Sequence, residues 1–214
     1  MSIATIVPDA ALSAPPGRRE QNKQAKEVAI RNAARRLFVE KGYDATTLRE
    51  IAEVAQVGFG TVFAYATDKS GLLAMIFVEQ LKMLPPLFED VDGDAPLLDQ
   101  LVAGLGHLYA FWATVPTLSR HALQQLEFYS ANPHLETILK RRVQARTELA
   151  AWIAAMMQAR RVCRDTDVEA AADTLFAIYT SSVRQWAADQ PHDMARGLAE
   201  LRRLMALPMR ALGI

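Results

Sequence analysis

The stretch "TTLREIAEVAQVGFGTVFAYATDK", residues 46–69, decides the fold. It opens on Thr47-Leu48-Arg49-Glu50, a T-x-x-E box. In such a box the threonine oxygen accepts from a free N–H of the first turn and the glutamate returns to the cap N–H, so a helix starts here. Leu48, Ile51, Ala52 and Ala55 then recur at helical spacing on one apolar face. The pattern stops near Gln56. A second short segment, about 58–64, follows a tight turn, and a longer helix begins at Asp68. Two short helices across a tight turn form a helix-turn-helix. In nucleic-acid readers the second helix enters the DNA major groove and the first helps to seat it.

The residues of the second helix suit that role. Gly60 removes a side chain where a helix would approach a duplex. Thr61 and Tyr65 offer hydroxyls to phosphates or base edges. Phe59 and Phe63 can pack on the groove wall or a thymine methyl. Lys69, in the first turn of the next helix, is placed for a phosphate. Thr47 caps its helix, touches a phosphate, or does both. The same aromatics are equally at home in a core, so the motif alone leaves both readings open. Arg18 and Arg19 are candidates for a minor groove or for a solvated tail.

The segment "FVEKGYDATTLREIAEVAQVGFGTVFAYATDKSGLL" resembles the DNA-binding head of the tetracycline-repressor (TetR) family. Phe38, Gly42, Tyr43, Thr46, Thr47, Leu48, Ile51, Ala52, Ala55, Val57, Gly60, Thr61, Val62, Tyr65, Asp68, Lys69 and Leu72 match the family pattern without a gap. The likeness covers about residues 20–75. Four positions depart from it. Gln56 stands where the turn glycine is usual, and Gly58 where a capping serine is usual. Phe63 replaces a common tyrosine, and Ala66 replaces a phenylalanine. These departures bear on affinity and operator preference rather than on fold.

Outward from this head, the totals agree. Hydrophobic residues make up 51% and charged residues 22%, which excludes a disordered chain. The formal net charge is zero, yet residues 18–69 carry ten Lys+Arg against seven Asp+Glu, a net of +3. That bias is in the direction a phosphate-binding head needs. One cysteine, Cys163, allows no internal disulfide. Residues 1–17 read as a disordered tail without the basic start of a signal peptide. The longest clean apolar run, "LLAMIFV" at 72–78, is too short to span a bilayer, so a cytoplasmic location is expected.

Beyond the head, helical patterns cover roughly 68–84, 96–114, 117–130, 133–160, 166–189 and 192–207, punctuated by prolines and polar loops. No stretch alternates with period two. The expected class is all-α: a helix-turn-helix domain over 18–67, then a larger helical domain over 68–214. The resemblance implies that this larger part binds a small ligand and forms a homodimer through its last two helices. Leu175, Ile178, Tyr179, Val183 and Trp186 on one helix, and Met194, Leu198, Leu201 and Met205 on the other, form apolar stripes. Such stripes mean burial, against the same chain or another.

Candidate ligand contacts are His107, Phe111, Trp112, Phe128, Trp152, Met156, Phe176 and Tyr179, a greasy set with a few polar atoms. For each, a plain core position is the alternative. Gly104 and Gly106 lie within a helix at a cost of about 1 kcal/mol each, which close packing or open space must offset. The basic run "KRRVQAR" at 140–146 reads as a solvated face. The four histidines have no helical pairing with one another and no cysteine partner, so neither a metal nor another cofactor is expected. No phosphate loop or nucleophile elbow points to an enzyme. The function expected is a DNA-binding regulator, most simply a repressor released from a palindromic operator by an apolar ligand. A regulator acting through protein partners is the alternative.

Overall fold

The computed structural model describes residues 17–125 and 133–212. Among them are helices only: α1 Arg18–Glu40, α2 Leu48–Val54, α3 Phe59–Tyr65, α4 Lys69–Leu81, α5 Leu97–Ala113, α6 Pro116–Gln125, α7 Pro133–Gln158, α8 Val168–Ala188 and α9 Met194–Ala211. The expected tail and the candidate Phe128 lie outside the described residues, Gly17 apart.

Helix α1 buries Ile30, Ala33, Ala34 and Phe38, and its first two turns stand in solvent. It ends because Gly42 adopts φ +97°, the left-handed conformation that closes helices. Buried Thr46 then donates to the carbonyls of Gly42 (2.8 Å) and Leu37 (3.2 Å), satisfying the end of α1. Asp68, Asp167 and Asp193 each cap the helix that follows, accepting from a first-turn N–H.

Helix α4 joins the head to the body. Gly71 to Phe77 are all buried because α4 is packed against α1 on one side and α6 and α7 on others. The apolar run at 72–78 is therefore the junction between the two parts. Around it, α7 packs on α8, and α9 packs on both α5 and α8. Helix α9 runs past the expected stop at 207 and carries Pro208 in its last turns, where fewer hydrogen bonds are at stake.

The apolar stripes on α8 and α9 turn inward. Leu175, Tyr179, Val183, Trp186, Leu201 and Met205 are all buried within the one chain. Tyr109 Oη and Ser182 Oγ lie 2.7 Å apart, and Trp112 Nε1 donates to Tyr179 Oη at 3.2 Å, so the polar atoms among them are paired. What α8 and α9 leave outside is a different face, with Ala170, Thr174, Ala177, Ser181, Ala199 and Leu207 exposed. No single helix is long and apolar enough to cross a membrane among the described residues.

Candidate nucleic-acid interface and interior cavity

Helix α2 forms as the T-x-x-E box dictates. Glu50 N donates to Thr47 Oγ1 at 3.3 Å, and Thr47 N donates to Glu50 Oε2 at 2.8 Å. Lys41 also donates to Glu50. The Lys41 bond, then the Thr47 backbone and hydroxyl bonds, push the Glu50 carboxyl down to about 2. The turn follows with Gln56 at φ 55°, a left-handed conformation that glycine adopts without strain and glutamine does not. The usual glycine is missing, yet the turn keeps its shape, held by Val57 N donating to Ala52 O at 3.0 Å.

Helix α3 starts at Gly58, which offers no side-chain cap. Val62 is its buried anchor. Phe59 and Phe63 are 41% and 43% exposed, large values for phenylalanine, and meet edge to face at 5.0 Å. A side chain added at Gly60 would meet nothing within 4 Å. Thr61 is half-buried, and Thr47 is exposed. The outward surface of α3 is thus Phe59, Gly60, Phe63 and Ala64, an apolar ridge without charge. Arg49 lies over the Phe59 ring at 5.5 Å. Arg49 is not among the residues expected at this interface; it is an exposed arginine in the first turn of α2, beside the start of α3.

Two other candidates hold the head together. Tyr65 Oη donates to Lys23 O at 2.9 Å, tying α3 to α1. Lys69 Nζ donates to the carbonyls of Tyr43 and Asp44, both at 3.0 Å, and sits 4.9 Å from the Tyr43 ring. In this structure the Lys69 ammonium braces the loop between α1 and α2. The Tyr43 ring stacks on His121 of α6, and the backbone of Tyr65 is hydrogen-bonded by His134 at the start of α7. Two histidines therefore add to the packing of α1 on α4 where head and body meet.

The interior cavity lies in the body, between α4, α5, α7 and α8. It is a narrow slot of about 50 Å³. Of the candidates, Phe111, Trp112, Phe176 and Tyr179 line it, with Leu81, Leu84, Leu108 and Ile138. His107, Trp152 and Met156 do not. His107 Nδ1 is 3.1 Å from Leu87 O, a core pairing, and Trp152 stacks on Phe88 and donates to Gln100. Met156 packs against the core near Arg161. Burial raises the Tyr179 phenol far above its ordinary value, so it stays a neutral lining group.

The basic run on α7 is split. Lys140 is exposed and pairs with Glu136 at 2.7 Å. Arg141 and Arg142 face the slot together with Ile138 and Ala145. Residues three, four and seven apart share a helix face, so the inner face of α7 carries both arginines. Arg184 of α8 lines the same space. Leu123 and Arg184 also border a polar cleft with Asp44, Arg120 and His121, next to the head.

A helix-turn-helix head whose second helix is bare and uncharged, joined to a larger helical body with an apolar cavity, is an architecture of DNA-binding regulators. The family model for bacterial regulatory proteins, tetR family, matches residues 30–76. A Rhodococcus RHA1 bacterial regulatory protein in the tetR family is 25% identical, with TM-score 0.57 over 84% of this chain and 96% of that one. Thermus thermophilus FadR, a TetR-family transcriptional repressor solved in complex with lauroyl-CoA, is 24% identical, with TM-score 0.60 over 86% and 94%. The uncharacterized HTH-type regulator YvkB of Bacillus subtilis is 38% identical over 65 residues, 30% of this chain, and that match spans 34% of YvkB. Residues 30–76 are thus similar to the tetR-family DNA-binding head, and the chain as a whole shares the fold of tetR-family regulators.

Proposed function

We propose that the protein is a homodimeric repressor that leaves its operator when an apolar ligand enters the cavity of the body. The observation that carries this reading is the pairing of an exposed α3 ridge with an apolar slot, joined through α4 and the two histidine contacts. Two copies would present two reading helices to successive major grooves of a palindromic site. The pairing face would be the outer side of α8 and α9, since their inner stripes are occupied within the chain. Phe59 and Phe63 would read thymine methyls, Thr61 a base edge, and Arg49 and Thr47 the flanking phosphates.

An acyl-chain ligand is supported by the apolar lining of the cavity and by the lauroyl-CoA bound to the structurally similar Thermus thermophilus FadR. A slot of about 50 Å³ is well below the roughly 300 Å³ of an ordinary ligand pocket, so a chain-like ligand has to part the side chains of α5, α7 and α8. A ligand that binds only the parted state lowers operator affinity by its preference for that state. The test is fluorescence anisotropy on DNA flanking the protein's own gene, with competitor DNA, at two salt concentrations. Binding that survives competitor and weakens with salt supports the reading. Equal affinity for operator and competitor contradicts it.

A further inference from the structure

Resting on that reading, we infer that the ligand carries a carboxylate as well as an apolar body, and that Arg141 and Arg142 hold it. The slot is lined mostly by carbon, yet these two arginines of α7 enter it, alongside Arg184 of α8. The Arg141 side chain is 12% exposed. Its Nη2 donates to Pro85 O at 3.1 Å and lies 3.4 Å from Glu148 Oε2. Its Nη1 is buried and has no hydrogen-bond partner among the described residues. A buried guanidinium N–H without an acceptor carries a desolvation cost.

The nearby carboxylate does not meet this need. Glu148 already accepts from Leu87 N and from Gln144 Nε2, both at 2.9 Å, and it reaches Nη2 rather than Nη1. Arg142 has no carboxylate within salt-bridge distance among the described residues and rests its guanidinium 5.9 Å over the Phe176 ring. A wholly apolar ligand would cover both cations and worsen their desolvation. A carboxylate would supply acceptors for Nη1 of Arg141 and for Arg142, and guanidinium forks suit its two oxygens. Phe111, Ile138 and Phe176 would take the apolar body.

The test is calorimetric titration of the full chain with decanoate, decanol and decanoyl-CoA, repeated on Arg142→Met, Arg141→Met and Arg141→Lys. Thermal melting without ligand shows which variants fold. Decanoate is expected to bind at least tenfold more tightly than decanol. That advantage is expected to vanish in Arg142→Met and to be partly kept in Arg141→Lys. Decanol binding as tightly as decanoate would overturn the carboxylate assignment and leave the ligand-sensor reading intact. Decanoyl-CoA binding while decanoate does not would overturn it too, assigning the anion to the nucleotide phosphates. If none of the three binds, the ligand-sensor reading itself fails.

Discussion

The imidazole of His121 stacks on the Tyr43 ring, centroids 4.7 Å apart and planes 28° apart. One ring belongs to the body and the other to the loop that carries α2. Burial, then Arg120, pulls the His121 pKa below its usual 6.5, with Asp44 opposing and Lys69 assisting. Burial likewise lowers His134, against the pull of Glu27 and of its bond to the Tyr65 backbone.

Both histidines thus resist protonation in the folded state more than in the unfolded chain. Their contribution to stability is intact above pH 6.5 and is lost as pH falls below it toward the folded values. Thermal melting is expected to drop between about pH 7.5 and about pH 5.5. The drop should shrink in the His121→Gln/His134→Gln double variant. An unchanged pH slope in that variant would remove the histidines from the head–body joint.

The bare ridge of Phe59 and Phe63 predicts readout by apolar contact. Replacing operator thymines by uracil should weaken binding by about 0.8 kcal/mol for each methyl buried. Phe63→Ala should lower affinity for the thymine operator and abolish the difference between the two DNAs. Anisotropy with matched duplexes measures both. Equal sensitivity to uracil in wild type and variant would assign the thymine contacts elsewhere.

Gly104 and Gly106 should respond oppositely to alanine. A Cβ at Gly104 would come within 2.6 Å of Phe88 Cε1 and 2.9 Å of the Leu87 carbonyl oxygen, which is backbone and cannot easily yield. Gly104→Ala should cost about 1–3 kcal/mol by overpacking. A Cβ at Gly106 would meet only Leu198 Cδ2, at an ordinary 3.7 Å. Gly106→Ala should stabilise by up to about 1 kcal/mol through helix propensity. Denaturant unfolding of the two variants decides the matter.

The turn offers a second stability test. Gln56→Gly relieves the left-handed strain and should stabilise the head by up to about 1 kcal/mol, less the added freedom of the unfolded chain. Gly58→Ser has room, since a Cβ there meets only Thr61 Oγ1 at 3.7 Å, and should add a few tenths of a kcal/mol as a cap. Loss of stability in either variant would mean the native residue makes a contact that matters more than its backbone.

The head was legible because its signals are local. The Thr47–Glu50 box, the helix-closing Gly42 and the register of Ile51, Ala52 and Val62 each act within a few residues. The intramolecular contacts of Tyr65 and Lys69 were not legible, because their partners, Lys23 and Tyr43, lie 42 and 26 residues away. In the body, periodicity marked which residues are buried but not against what. The stripes on α8 and α9 read equally well as a dimer seam and as a chain core, and the fold closes them inside. The same limit scattered the cavity set: Phe111, Trp112, Phe176 and Tyr179 converge, while His107 and Trp152 pair with Leu87 and Gln100. Arg141 and Arg142 were hidden in a basic run whose composition says solvent, and only the rotation of α7 turns them inward.

The most direct measurement is operator affinity at rising concentrations of a ligand whose binding has been established by calorimetry, decanoate or decanoyl-CoA. The operator Kd is expected to rise at least tenfold as the cavity fills, about 1.4 kcal/mol of coupling. An operator Kd that stays constant while the cavity is saturated would contradict it.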